Sequence, residues 1–385
     1  MGRNYLIDNC KALLIFLVVV GHLVTLGPRG NSEFWHMAWV AIYAFHMPAF
    51  MFLSGVFAKP TGEAAGKSAL SLFVSYLLIT LLVWLAHLVI GDRFAFRLVT
   101  PVFSAWFLLS LMTMRLLLPA LSHIRGAMVA LVAISLLVPL NGDIGSVFSL
   151  ARTAYFLPFF FAGYLMGVKG IDGLRKQCSR WLKAVLVAIA LMALIGTVLL
   201  SRVGILPMDA LWAKSTYLES GFPSWQVGMA MRCFMMVVAA LCIVALLVAL
   251  PTKKKPFTYI GKNSLSVYIL QAPVIVILPH FHTGNYLVLG WVMVAASILF
   301  CALAAAPPVH KVISYPSQLA VRFLHKTDAQ KAKAKNTEAQ EALTQEVEVV
   351  EAQQTETQEA VGQEVEAQQA EMQEIDPEAG MRAGE

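Results

Sequence analysis

Long, nearly uninterrupted apolar segments recur along this 385-residue chain, and they restrict its possible folds more than any other feature. Windows of about 20 residues, the length of a membrane-spanning helix, identify about ten such segments. Hydrophobic residues make up 58% of the sequence, charged residues only 14%, and the mean hydropathy is +0.69. A water-soluble domain cannot bury so much apolar surface, so lipid must surround most of the chain.

The predicted spans are helices, because a helix satisfies its own backbone hydrogen bonds in hydrocarbon and no segment alternates like a barrel strand. The loops between them alternate in Lys and Arg content, which places both termini in the cytoplasm. We therefore predict an all-α polytopic membrane protein with about ten transmembrane helices in one bundle, in the cell inner (plasma) membrane. The predicted spans centre on residues 12–27, 38–57, 69–90, 99–119, 127–140, 147–168, 182–201, 226–250, 264–281 and 285–306.

The charge of the chain changes sign after the last predicted span. Residues 1–326 contain 25 Lys and Arg but only 8 Asp and Glu. Residues 327–385 contain 4 Lys and Arg but 15 Asp and Glu. The positive charge therefore belongs to loops beside the membrane and does not indicate a nucleic-acid partner. We predict an integral-membrane domain over 1–326 and a disordered, acidic cytoplasmic tail over 327–385, whose Ala, Glu and Gln content also favours transient helix.

The first span contains ionisable residues where a bilayer disfavours them, in the stretch YLIDNCKALLIFLVVVGH. Lys11 and His22 are eleven residues apart, which places them on one helix face roughly 16 Å apart, and Asp8 lies one turn before Lys11. A titratable group inside the membrane costs several kcal/mol unless it faces a cavity or a partner. These residues are therefore candidates for a functional site.

The second span repeats this anomaly in YAFHMPAFMFLSG, where His46 lies two residues before Pro48. Proline frees a backbone carbonyl and can kink the helix, which opens space near the histidine. Two histidines in neighbouring spans suggest proton handling or a polar substrate path. The alternative is that both imidazoles only form hydrogen bonds between helices. No metal is predicted, because no third ligand lies at a suitable spacing.

Two arginines lie near the ends of later spans, and the sequence predicts a different environment for each of them. Arg152 either extends to the membrane interface or points an anion-binding group into a cavity. Arg232 is close enough to the start of its span that we expect it to reach the interface. The aromatic and acidic residues of the outer loop 202–225 suit either carbohydrate docking or an interfacial aromatic belt.

The two histidine motifs together resemble those of the membrane-bound acyltransferase-3 family. Three looser stretches, AWFLLSLMTMRLLLP (105–119), RTAYFLPFFFAGYLMG (152–167) and YIGKNSLSVYILQAP (259–273), resemble later motifs of that family. The likeness covers most of residues 3–306, and its nearest branch is the one related to fucose 4-O-acetylases. Many relatives have histidine where this chain has Gln271, which cannot act as a base, so the role of that histidine is absent here or reduced to hydrogen bonding.

The resemblance implies a ten-span enzyme that moves an acyl group, usually acetyl from acetyl-CoA, to a hydroxyl of an envelope sugar, polysaccharide or glycolipid. It implies catalytic roles for His22, Lys11 and His46, with Asp8 beside Lys11. The implied partners are membrane lipid, acyl-CoA and a carbohydrate or glycolipid acceptor, with acetyl-CoA as a co-substrate and no bound cofactor. The predicted substrate-binding residues, which lie in the same motifs, are Ser54, Trp106, Arg152 and Asn263.

The chemistry of the residues is compatible with this reaction but leaves alternatives open. A neutral histidine can take the proton of an attacking hydroxyl, and an imidazole can also act as a nucleophile in an acyl-histidine relay. Lys11 suits a phosphate of CoA or an ion pair with Asp8. The rival function is a proton-coupled transporter or flippase of an envelope intermediate, which would not use acetyl-CoA.

Overall fold

The computed structural model describes residues 4–92, 100–101, 103–144, 147–281 and 286–374. The predicted all-α membrane architecture is confirmed, because these residues form α-helices joined by loops and short 3-10 turns, with no strand among them. The helices are α1 (Tyr5–Thr25), α2 (Pro28–Asn31), α3 (Glu33–Val56), α4 (Gly62–Val89), α5 (Trp106–Leu121), α6 (Ala127–Leu137), α7 (Leu150–Gln177), α8 (Arg180–Arg202), α9 (Trp225–Ala249), α10 (Thr258–Lys262), α11 (Ser264–Ile277), α12 (Tyr286–Ala304) and α13 (Pro307–Glu374).

Seven of the described helices are long and apolar enough to cross a membrane, namely α1, α3, α4, α7, α8, α9 and α12. Three shorter apolar helices, α5, α6 and α11, occupy the remaining predicted segments. Each predicted span thus coincides with an apolar helix, although the start of 99–119 and residue 285 lie outside the described residues. The three shorter helices fall below the length of about 20 residues that a straight crossing needs.

The helices differ in how much of their surface other helices cover. In the apolar windows of α1 and α3, 67% and 72% of the residues are buried, against 17% in α8. Helix α1 contacts α3, α10, α11 and α12. The two helices that carry His22 and His46 are therefore central, whereas α8 presents most of its surface to lipid.

Glycines set the distance between α3 and α7. A Cβ atom on Gly55 of α3 would lie 1.9 Å from the carbonyl oxygen of Phe160, and one on Gly163 of α7 would lie 2.0 Å from that of Phe52. The two backbones are therefore in contact, as small residues allow between membrane helices. This contact holds α3 and α7 together, and with them His46 and Arg152.

A similar contact joins α1 to α10, the short helix that precedes α11. A Cβ atom on Gly261 would lie 1.7 Å from the carbonyl oxygen of Asp8. Because α11 follows α10 directly, this contact also sets where α11 begins relative to α1.

The compact membrane unit ends at Val321, and a second unit begins at Arg322. Helix α13 continues to Glu374, so the structure gives helix over most of the segment for which the sequence predicts disorder. The predicted boundary at 326 lies within this helix. Every described side chain between residues 336 and 371 is exposed. Ala, Glu and Gln favour helix through their intrinsic propensities, so this segment is helical without a core of its own.

Candidate functional site

His22 contacts a glutamine from a distant part of the chain. Its Nδ1 lies 3.3 Å from Oε1 of Gln271 on α11, and the contact is buried. Because a carbonyl oxygen only accepts hydrogen bonds, the hydrogen of the neutral ring is on Nδ1 and the lone pair is on Nε2. The amide nitrogen of Gln271 is also buried and has no hydrogen-bond partner among the described residues.

His46 is held by its own helix. Its Nδ1 donates a hydrogen bond of 2.7 Å to the carbonyl oxygen of Ile42, one turn earlier on α3. The neutral ring therefore also carries its lone pair on Nε2. Only 2% of the His46 surface is exposed. Both imidazoles are thus oriented by their Nδ1 contacts so that the basic nitrogen is Nε2.

One pocket brings the two histidines together. It has a volume of about 30 Å³, and its wall also contains Trp106, Arg152 and Tyr268. Tyr268 donates a hydrogen bond to the carbonyl oxygen of Ser104, which fixes the start of α5 against α11. We call this space the histidine pocket.

Arg152 lies in the wall of the histidine pocket rather than at the interface. Its Nε donates to the carbonyl oxygen of Trp212 at 3.1 Å, and its guanidinium carbon lies 4.7 Å from the centre of the Trp106 ring. Trp106 in turn stacks on Phe156, with 5.4 Å between ring centres. Of the two predicted orientations of Arg152, the structure contains the one that directs positive charge towards a cavity.

A second pocket, the Lys11 pocket, adjoins the histidine pocket. Its volume is about 130 Å³, and Lys11 and Ser54 are in its wall. The two pockets share the side chains of Val18, Met47, Phe107 and Tyr268. Lys11 Nζ lies 5.4 Å from the centre of the Phe57 ring. Lys11 and His22, which the sequence places apart on one face of α1, therefore line two different but adjoining pockets.

A third pocket, the Arg232 pocket, adjoins the histidine pocket on another side. It lies beneath the segment 206–222, and its wall contains Arg232, Tyr155 and Tyr217. The side chains that it shares with the histidine pocket are Tyr43, Phe156 and Leu211. Three contiguous pockets thus run from Lys11 through the histidines to Arg232.

A basic loop is attached to the start of α1 by Asn9. The Asn9 amide nitrogen donates to the carbonyl oxygens of Pro251 and Lys253 at 2.8 and 3.1 Å, and its Oδ1 accepts from Thr258 Oγ1 at 2.6 Å. Asn9 is fully buried. These bonds hold the run Lys253–Lys255 beside the same end of α1 that carries Lys11.

Two predicted site residues lie apart from the pockets in the described part of the chain. The backbone of Asp8 packs on Gly261, one turn of α1 before Lys11. Asn263 is buried and donates from Nδ2 to the carbonyl oxygen of Ala305 at 2.8 Å, so it joins the start of α11 to the end of α12. Its neighbour Ser264 contributes to the Lys11 pocket instead.

The structure decides the roles of two further residues of this region. Of the two alternatives for Gln271, no role or hydrogen bonding alone, the structure contains the second, because its oxygen faces His22. The expectation that Arg232 reaches the interface is wrong, because its Nε and Nη2 atoms are buried. In both positions a polar residue lies in an apolar span, and only the packing of distant helices decides what it meets.

A family model described as an acyltransferase domain, acyltransferase-3, matches residues 4–307. Two curated proteins are similar over shorter stretches. The nodulation protein NolL of Mesorhizobium japonicum is 34% identical over 91 residues, which are 22% of this chain and 24% of that protein. NolL of Sinorhizobium fredii is 39% identical over 84 residues, 20% of this chain and 23% of that protein. The chain therefore matches about a quarter of the length of these relatives. No solved structure matches.

Proposed function

Because the chain belongs to the acyltransferase-3 family, we propose that it transfers an acetyl group from acetyl-CoA to a hydroxyl of an envelope sugar, polysaccharide or glycolipid. Membership of the family confirms the predicted enzyme class, a membrane-bound acyltransferase, whereas the donor, the acceptor and the residue roles are our proposal. The observation that carries it is the histidine pocket, in which two oriented imidazoles lie between two further pockets.

In this proposal His22 is the general base. Its Nε2 takes the proton of the acceptor hydroxyl while the hydroxyl oxygen attacks the thioester carbonyl. The new C–O bond forms, the C–S bond of the donor breaks, and the protonated imidazole returns its proton to the departing CoA thiolate. Gln271 supports this role because its Oε1 keeps the hydrogen of the neutral ring on Nδ1.

Arg152 is the group best suited to stabilise the negative charge that develops on the carbonyl oxygen during attack. Its guanidinium belongs to the wall of the histidine pocket and packs against the Trp106 ring, which stacks on Phe156. A fixed positive group in such surroundings stabilises a developing oxyanion more strongly than it would in water.

We assign the donor to the Lys11 pocket. Lys11 and the run Lys253–Lys255 supply positive charge at one end of α1, as the phosphates of CoA require. The positive-inside pattern supports a position of this end at the cytoplasmic face of the inner membrane, where acetyl-CoA is present. The acceptor then approaches the histidines through the Arg232 pocket, from the opposite side.

The test is thiol release from acetyl-CoA by the purified protein, with a pool of envelope glycans as acceptors. We expect turnover by the wild type and a loss of roughly 10²–10⁴-fold in His22→Ala. Equal melting temperatures of the two proteins in detergent would show that the loss is chemical. An absence of wild-type turnover with every acyl-CoA and acceptor would contradict the proposal and favour the transporter.

Direct transfer and an acyl-histidine relay differ in what forms without acceptor. Incubation with radiolabelled acetyl-CoA alone, followed by rapid denaturation, traps labelled protein in a relay but not in direct transfer. We expect no labelled protein. Label that disappears in His22→Ala or in His46→Ala would instead identify the nucleophile.

A further inference from the structure

Arg232 is a charged residue that lies partly buried within the membrane unit. Arg232 lies seven residues into α9, about 10 Å from the start of that helix. Its Nε and Nη2 atoms are buried, and neither has a hydrogen-bond partner among the described residues. Both atoms carry hydrogens that can only donate, so a residue of the Arg232 pocket wall has two donors without acceptors among the described residues.

Aromatic rings hold this guanidinium in place without using its donors. Its central carbon lies 4.4 Å from the centre of the Tyr155 ring and 5.9 Å from that of Tyr217. Such contacts use the faces of the rings, whereas the N–H groups lie in the guanidinium plane. Tyr217 is itself fixed, since its hydroxyl donates to the carbonyl oxygen of Leu136 at 2.7 Å.

A Cβ atom at Gly228 of α9 would lie 2.5 Å from the Tyr217 ring, so glycine leaves the space that this ring fills. Tyr155 and Tyr217 therefore pack against the guanidinium without pairing with its donors.

No carboxylate of the described residues forms an ion pair with Arg232. Glu219, in the segment above the pocket, accepts hydrogen bonds from the backbone and side chain of Thr216, which lower the pKa of its carboxyl group. Its charge is thus engaged elsewhere. A buried cation without a counter-ion is unfavourable, and an anion that entered the pocket would relieve this cost.

The size of the cavity limits what that anion can be. The Arg232 pocket has a volume of about 30 Å³, which is enough for about two water molecules or one carboxylate group. A planar carboxylate also matches the fork of a guanidinium, and its single negative charge balances one arginine. A phosphate carries more charge than this one side chain neutralises.

We infer that the Arg232 pocket binds a carboxylate of the acceptor, so that the acceptor is an acidic glycan with a uronic-acid-type residue. This inference rests on the proposed function, because the Arg232 pocket shares Tyr43, Phe156 and Leu211 with the histidine pocket. A carboxylate bound to Arg232 directs the rest of the same glycan towards the histidines. Arg232 thus selects the acceptor by charge.

The experiment measures binding without any acyl donor, so that it is independent of turnover. The purified full-length protein in detergent is titrated with methyl glucuronide, methyl glucoside and glucose 6-phosphate, and the dissociation constants are compared. We expect the glucuronide to bind roughly tenfold or more tightly than the glucoside, as a charge-assisted pair implies. Glucose 6-phosphate should bind more weakly than the glucuronide.

Three variants assign the discrimination to one side chain. Arg232→Gln should remove the preference for the glucuronide, and Arg232→Lys, which keeps the charge but not the planar fork, should retain part of it. The matched control is Arg202→Gln at the end of α8, where an exposed arginine lies 2.7 Å from Glu33. That variant should bind all three ligands like the wild type.

Equal affinity of the wild type for the glucuronide and the glucoside would overturn the inference, even if thiol release shows that the acyltransferase is active. A preference that survives in Arg232→Gln would overturn it as well. Tighter binding of glucose 6-phosphate that depends on Arg232 would replace the carboxylate with a phosphate. Conversely, charge discrimination without turnover would uphold the anion site and contradict the acyltransferase.

Discussion

Helices α1 and α8 are both apolar and of similar length, yet they play opposite parts in the molecule. Helix α1 spans 21 residues with 67% of its apolar window buried, and it carries Asn9, Lys11 and His22. Helix α8 spans 23 residues with 17% buried, and its ionisable residues, Arg180, Lys183 and Arg202, lie near its two ends.

The difference between α1 and α8 shows that a polar residue inside a span indicates burial of that span among other helices. Lipid cannot accept or donate hydrogen bonds, so such residues persist where other helices supply partners. The partners here come from far along the chain, such as Gln271 for His22 and the loop at 251–253 for Asn9. Polar residues within spans therefore mark the centre of the bundle, and uniformly apolar spans mark its periphery.

The largest effect that separates central helices from α8 should come from a glycine of α3, which packs on α1 and is 72% buried in its apolar window. Gly55→Ala places a methyl group 1.9 Å from a backbone oxygen of α7, which neither helix can avoid without moving apart. We expect a loss of about 3 kcal/mol or more in stability, at the upper end for overpacking. Melting temperatures in detergent measure this loss.

The matched control is Gly196→Ala in α8, where an added Cβ meets nothing within 4 Å. We expect that variant to be unchanged or more stable by about 0.5–1 kcal/mol. Similar losses of stability in both variants would mean that α3 and α8 are equally enclosed by other helices, which contradicts the distinction between central and peripheral helices.

A smaller effect is expected at Gln271, which contacts His22 and, in the proposed mechanism, positions it without touching the reacting atoms. Gln271→Leu removes the acceptor for the Nδ1 hydrogen and should lower kcat by about tenfold, with little change in KM. Thiol release at saturating acetyl-CoA measures it.

Gln271→His, which again offers a hydrogen-bonding ring nitrogen, should recover part of the activity. A purely structural role would instead lower the melting temperature of Gln271→Leu and leave kcat per folded molecule unchanged.

The smallest effect concerns the basic loop that contains Lys253–Lys255 and is attached to the start of α1 by Asn9. Asn9→Ala releases the run Lys253–Lys255 from the helix, so we expect KM for acetyl-CoA to rise by roughly two- to fivefold. The wild type should also prefer acetyl-CoA over acetyl-dephospho-CoA, which lacks the 3′-phosphate, and the variant should lose part of this preference.

Arg180→Ala removes an exposed positive charge from the start of α8 and should leave KM unchanged. An equal rise in KM in this control would indicate general electrostatic attraction rather than a phosphate site.

Much of this protein is determined by its sequence alone. The positions of the apolar helices follow from hydropathy, because a helix is the only open-ended structure that satisfies its backbone in lipid. Lys11, His22, His46 and Arg152 stand out for a related reason, since an ionisable group inside a span is costly unless it has a use or a partner. The family, too, is evident from the two histidine motifs.

Only the tertiary structure decides which of these residues meet. Three features depend on how distant helices pack: His22 contacts Gln271, two nitrogen atoms of Arg232 are buried, and Asn263 bonds to Ala305 outside the pockets. Spacing along one helix specifies a face but not the neighbour of that face. The tail is a different case, because helix propensity acts locally and needs no neighbour, so its composition alone predicts transient helix in a segment that has too few apolar residues for a core.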